Sequence, residues 1–265
     1  MSLAVIAGSG GLPARLVKET GAIWVKLNNV HTDIGSEPQI SAQFERLGDL
    51  FLNLREAGIK KICFAGAMGR PKLDPSLFDT TTLDLMPRLV PLLQSGDDAL
   101  LRGVIEVFEE KGFSVCAPHD FLLDLLVEPG VITRARPEPR DEQDAIKGAE
   151  ILQTLSAHDI GQGCVVCSGQ VLGIEALYGT DAMLDGIAQL RSSRQPNING
   201  VFVKRAKEGQ DLRVDLPTIG PETIDKAIKA DLSAICLQAG NVQVLDLKEV
   251  LERANAAGLV IWATD

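Results

Sequence analysis

The chain has 265 residues, is 45% hydrophobic and carries a formal net charge of −10. That length holds two domains of ordinary size, each with enough apolar material for a core. The acidic balance argues against a nucleic-acid binder, which needs a basic face, and against broad electrostatic docking on anionic lipid, although local basic patches could serve either purpose.

Met1–Gly8 lacks the basic lead of a signal peptide, and its apolar run ends in glycines. No apolar segment approaches the ~20 residues that span a bilayer. A cytoplasmic setting is therefore expected. Cys63, Cys116, Cys164, Cys167 and Cys236 are odd in number and lie mostly in apolar runs, so they read as reduced core residues. Cys164 and Cys167 form a C-x-x-C string, but in a strand positions three apart face opposite ways and could not share a metal.

Leu3–Ala7 reads as a buried strand, Gly8-Ser9-Gly10-Gly11 as a glycine loop and Ala14–Thr20 as a helix. Glycine there lets backbone amides approach a phosphate, or simply makes a tight turn. The dinucleotide fingerprint fails, because Pro13 stands at its third glycine and Asn28-Asn29 replaces the acid after the second strand. A nicotinamide cofactor is disfavoured. Phe44–Ala57 has helical spacing, closed by Gly58, and Lys61–Ala65 is the next strand. It runs into Gly66-Ala67-Met68-Gly69-Arg70-Pro71, a second glycine-bearing loop after a strand. Two such loops at strand ends favour a crevice there. Arg70 could reach a phosphate or be solvated.

Leu83–Leu93 reads as a helix that Pro87 and Pro91 interrupt or bend. A further helix opens at Asp97-Asp98, which suit capping and the helix dipole, or could help hold a divalent cation. Phe113–Ala117 is a strand with His119 just beyond it, a capping or surface group before it is a substrate contact. The charged, proline-rich stretch around Arg134–Asp141 reads as an extended connector, with Thr133 able to face a cleft. The expected organisation is α/β with two domains. Residues 1–130 form an N-terminal Rossmann-like parallel sheet, 131–141 the linker, and 142–265 a C-terminal mixed α/β domain.

In the second half Gln143–Leu155 is an amphipathic helix. Cys164–Cys167 and Val171–Glu175 make a hairpin, and Ala234–Leu237 with Val242–Leu245 a second one. Gly179-Thr180-Asp181 starts a helix that Thr180 or Asp181 could cap. Asp215 stands in Arg213-Val214-Asp215-Leu216-Pro217, read as an extended run ahead of a turn and the helix start at Pro221-Glu222. It is either a turn aspartate or an acid at a strand mouth facing a helix N-terminus, where α/β proteins place anions and metals. Glu175, Asp181 and Asp215 near Lys204 and Lys207 fit a magnesium-bridged phosphate ester, with hard oxygen ligands on the metal and lysines on the remaining charge. A P-loop is absent.

Taken together, Ala7–Pro13, Phe64-Ala65-Gly66 with Arg70-Pro71, Gly96–Arg102, Asp159–Gly163, Glu175, Gly179–Leu184 and Gln210–Gly220 occur in an order that covers nearly the whole chain. In these motifs the sequence resembles the UDP-2,3-diacylglucosamine pyrophosphatases of the LpxI type. The resemblance implies substrate held between two domains and magnesium-dependent hydrolysis to UMP and 2,3-diacylglucosamine 1-phosphate, with water attacking the sugar-side phosphorus. It puts the family's essential aspartate on Asp215, and substrate contacts on Gly10, Gly66, Ala67, Thr133, Gly163 and Asp181. It also implies a Gram-negative bacterial protein working peripherally at the cytoplasmic face of the inner membrane on a nucleotide-sugar lipid; homodimerisation is left open. Tyr178 and Gln238 stand where the family often has Glu. The alternatives are a nucleotide-sugar transferase and a non-catalytic nucleotide or lipid sensor.

Overall fold

The computed structural model describes residues 2–93, 97–191 and 199–265, and the side chains of Asp97 and Asp98, with the capping expected of them, lie outside it. The chain is an α/β protein of two compact units. One comprises Met1–Leu123 together with Asp211–Asp215, and the other Asp124–Gln210 with Leu216–Asp265.

The first unit opens with β1 (Leu3–Ala7), every residue of which is buried, then α1 (Gly11–Thr20), β2 (Ile23–Leu27), β3 (Ile40–Ala42), α2 (Leu47–Glu56) and β4 (Lys61–Ala65). It continues through α3 (Thr80–Leu93) and α4 (Asp97–Glu110) to β5 (Ser114–Cys116). The five strands form one sheet in the order β3-β2-β1-β4-β5, and every pairing is parallel. Parallel strands covered on both faces read as unbroken apolar runs, which is what Leu-Ala-Val-Ile-Ala supplies. α2 buries Leu50, Phe51 and Leu54, and Phe51 meets Phe108 of α4 edge to face with ring centroids 5.1 Å apart.

α3 runs unbroken through Pro87 and Pro91, contrary to the interruption expected. Both prolines are exposed and lie four residues apart, on one solvent-facing stripe. The carbonyls that lose a partner there can turn to water, so the usual penalty is reduced.

The second unit contains β6 (Gly130–Val131), α5 (Pro139–Ser156), β7 (Gly163–Cys167), β8 (Gln170–Ile174), α6 (Gly179–Arg191) and β9 (Gly200–Lys204). After these come β10 (Thr218–Ile219), α7 (Pro221–Lys229), β11 (Leu232–Gln238), β12 (Gln243–Val244), α8 (Leu247–Ala257) and β13 (Val260–Thr264). Six of the strands make a mixed sheet in the order β6-β13-β11-β9-β7-β8. The β7–β8 hairpin forms as expected, and its turn is held by Asp144, whose carboxylate accepts from the amides of Ser168 and Gly169 at 2.7 Å each.

The second expected hairpin does not form. β12 leaves the main sheet and pairs in parallel with β10. β11 is already flanked by β9 and β13, so neither of its edges is open to the strand that follows. Thr133 lies beside β13, where its hydroxyl accepts from the Ile261 amide at 2.9 Å.

Candidate functional site

In the first unit the strand order reverses between β1 and β4, and ligands of open α/β sheets gather at that switch point, beyond the strand C-termini. Both glycine loops lie there. They are zipped to each other: the Ser9 amide donates to the Ala67 carbonyl at 2.9 Å, and the Ala67 amide donates back to the Ser9 carbonyl at 3.0 Å. A Cβ on Gly8 would lie 2.4 Å from the Ala67 oxygen. One on Gly66, whose φ is +88°, would lie 2.5 Å from the Ser9 oxygen. The glycines thus permit backbone-to-backbone contact between the loops. The Ser9 and Ala67 amides are consumed by it.

Gly10 differs. Its amide donates to Asp33 Oδ2 at 2.6 Å, and that contact, with a weaker one to His31, holds the Asp33 carboxyl below its usual range. A carboxylate oxygen occupies the position that a phosphate oxygen would take at this amide. Nothing in the spacing of Asp33 signalled it, because the partner lies 23 residues away in a loop. Arg70 donates from Nη1 to the Leu93 carbonyl at 3.0 Å. His119 carries a buried Nδ1 with no hydrogen-bond partner.

Asp215 is half-buried and groups with the first unit. The expected extended run around it is instead a turn through Leu212–Val214. The reason is Asp211. Its carboxylate accepts from the Arg213 amide at 3.0 Å and its carbonyl from the amides of Val214 and Asp215 at 3.3 and 3.4 Å, closing the chain on itself. Aspartate favours such local bonds over strand pairing. The helix start at Pro221 is as expected.

In the second unit a buried cluster forms at the C-terminal end of β9. Lys204, 3% exposed, donates from Nζ to Glu175 Oε2 at 2.7 Å and to Thr180 Oγ1 at 2.6 Å. Thr180 donates in turn to Glu175 Oε2 at 3.0 Å. Thr180 is therefore a member of this cluster inside α6 rather than its cap. Gly163 faces Lys204 across the β7–β9 ladder, and a Cβ there would fall 2.5 Å from Glu175 Oε2. Lys207 pairs with Asp159 at 2.6 Å. Asp181 is exposed in the first turn of α6.

Among the described residues no group of three or more His, Cys, Asp or Glu side chains could hold a metal ion. Glu175 Oε2 is taken by an ammonium and a hydroxyl, which suits an ion-pair partner better than a metal ligand. No closed protein cage is formed by the described side chains. A magnesium ion that keeps several waters and takes one or two carboxylates plus substrate phosphates needs none.

Residues 2–125 match the LpxI N-terminal domain and residues 128–262 the LpxI C-terminal domain. The chain belongs to the LpxI family. It is similar to the UDP-2,3-diacylglucosamine pyrophosphatase LpxI of Caulobacter vibrioides, with 35% identity over 272 residues that cover 99% of this chain and 97% of that protein. LpxI membership accounts for the two-unit α/β architecture, since both family domains are present in full order. Among the described residues no helix is long and apolar enough to cross a membrane.

Proposed function

We propose that this chain hydrolyses the pyrophosphate of UDP-2,3-diacylglucosamine, giving UMP and 2,3-diacylglucosamine 1-phosphate in lipid A biosynthesis. The observation that carries the proposal is end-to-end similarity, at 35% identity, to a relative named for that substrate. Water attacks the sugar-side phosphorus, its oxygen stays on the sugar phosphate, and the bond to the bridging oxygen breaks to release UMP.

The chain's own residues divide the work. Asp215 accepts the proton from, or orients, the attacking water. The Gly10 amide offers a donor to a phosphate oxygen once Asp33 gives way. The Gly66 and Ala67 loop shapes the floor beside it. Lys204 and Lys207 set positive charge against the diphosphate.

Asp215 is also the residue that would hold magnesium, with exposed Asp181 as the second candidate. The ion, when bound, neutralises charge on the diphosphate and lowers the pKa of bound water. The enzyme works as a peripheral protein on a nucleotide-sugar lipid at the cytoplasmic face of the inner membrane.

The test is incubation with UDP-2,3-diacylglucosamine and magnesium in oxygen-18 water. UMP without label and labelled 2,3-diacylglucosamine 1-phosphate are expected. Label in UMP overturns the assignment of the attacked phosphorus. Product that forms only with an added acceptor points to a transferase, and binding without turnover to a sensor. Asp215→Ala should abolish turnover while leaving the fold intact; near-full activity removes Asp215 from the mechanism.

A further inference from the structure

We propose that Arg213, clamped by Asp211 and by Glu109 of α4, is a positioning residue for the Asp215 carboxylate. This rests on the reading of Asp215 given above. Asp215 sits in no strand or helix, so the secondary structure alone does not fix where its side chain lies. The five residues Asp211–Asp215 nevertheless group with the first unit, while the chain on either side groups with the second. Something must fasten this short excursion.

Two contacts do so. Val214 packs against the core of the first unit that contains Val107 and Phe108. Arg213 supplies the polar half. Its Nε and Nη2 form a fork on Asp211, at 2.9 Å to Oδ1 and 2.7 Å to Oδ2, and its Nη1 donates to Glu109 Oε1 at 2.7 Å. A planar guanidinium with all three nitrogens engaged is held in one orientation, unlike a lysine ammonium. The same Asp211 bonds the amides of Arg213 and, through its carbonyl, Val214 and Asp215. Glu109, Arg213 and Asp211 therefore join α4 to the turn that presents Asp215.

Arg213 and Glu109 are 39% and 44% exposed. Exposed pairs of this kind add little to global stability. A loss of turnover on cutting the tether is thus separable from unfolding. Because the nitrogens of Arg213 are engaged by this chain's own carboxylates, the effect belongs in kcat and not in KM.

The experiment uses the full chain with UDP-2,3-diacylglucosamine and magnesium, and compares Arg213→Ala, Glu109→Gln, these two combined, and Asp215→Asn. Melting temperature, kcat and KM are measured for each. Arg213→Ala should lower kcat about 100-fold, the scale of an ångström-sized misplacement. Glu109→Gln, on the helix surface, should lower kcat about fivefold and melt like the wild type, and it should add nothing to Arg213→Ala. KM should stay within about twofold throughout. Unchanged kcat in Arg213→Ala with an inactive Asp215→Asn overturns the tether and leaves the Asp215 reading standing. A rise in KM alone also overturns it, by making Arg213 a substrate contact. An active Asp215→Asn overturns the reading beneath both.

Discussion

Lys204 Nζ lies 2.7 Å from Glu175 Oε2, with the two side chains 4% and 12% exposed. Removing one member of a buried pair strands the other charge and costs about 3–5 kcal/mol, whereas replacing both with shapes that pack is often neutral. Glu175→Ala should therefore shift the denaturant midpoint strongly, and Glu175→Gln with Lys204→Met should recover most of that loss. If the proposed role of Lys204 against the diphosphate holds, turnover should not recover in the double variant, because that ammonium is gone. A Glu175→Ala midpoint close to wild type would show that solvent, not Glu175, balances Lys204.

The zipped glycine loops make a sharper steric prediction. Alanine at Gly8 places a Cβ 2.4 Å from the Ala67 oxygen, and the contact is backbone that cannot rotate away. At Gly66 the φ of +88° adds strain that an L side chain rarely accepts. Overpacking of this sort costs about 1–3 kcal/mol. Both variants should unfold at lower urea concentration, and Gly11→Ala, with open space around it, should not. Equal stability of all three would mean that the two loops are not held together in solution.

Much of this was legible in the residues. Unbroken apolar runs identified the parallel strands, and strand–glycine junctions marked the ends of β1 and β4. What was hidden is non-local. The partner of the Gly10 amide, Asp33, belongs to a loop with no motif. The fate of β12 depended on both edges of β11 being filled, which no local pattern reports. The turn at Leu212–Val214 was within reach. Asp211 and Arg213 are two apart, a spacing at which an aspartate can bond its own backbone, and the apolar Leu212 and Val214 masked it. Prolines in α3 misled because their cost depends on which face they occupy.

The thiols should be inert in the folded protein. Burial pushes Cys63 up to about 12, and Cys164 and Cys236 up to about 11, so at neutral pH they are protonated and shielded. Cys167 is also buried, and none of the five is in a disulfide. Cys116 is half-exposed. An aromatic disulfide reagent at pH 8 should label Cys116 first and the others only after denaturant is added. Rapid native labelling of Cys164 or Cys63 would show that their strands open locally.

The Asp211 clamp should leave a signature in acid. The hydrogen bond from Arg213 is the main cause holding the Asp211 carboxyl below its ordinary value, aided by the Arg213 amide and by the charges of Arg213 and Arg102. The unfolded group titrates near pH ~3.9. A lowered folded value means that the native state holds the ionised form, so the stabilisation is complete above the unfolded pKa and disappears as pH falls through the folded one. The stability difference between wild type and Asp211→Asn should be constant from about pH 6 to 8 and shrink below about pH 4. Urea unfolding of both proteins at a series of pH values measures it. A difference that stays the same down to about pH 2 would mean that Arg213 does not recruit the carboxylate, and that the turn carrying Asp215 is held by the backbone bonds of Asp211 alone.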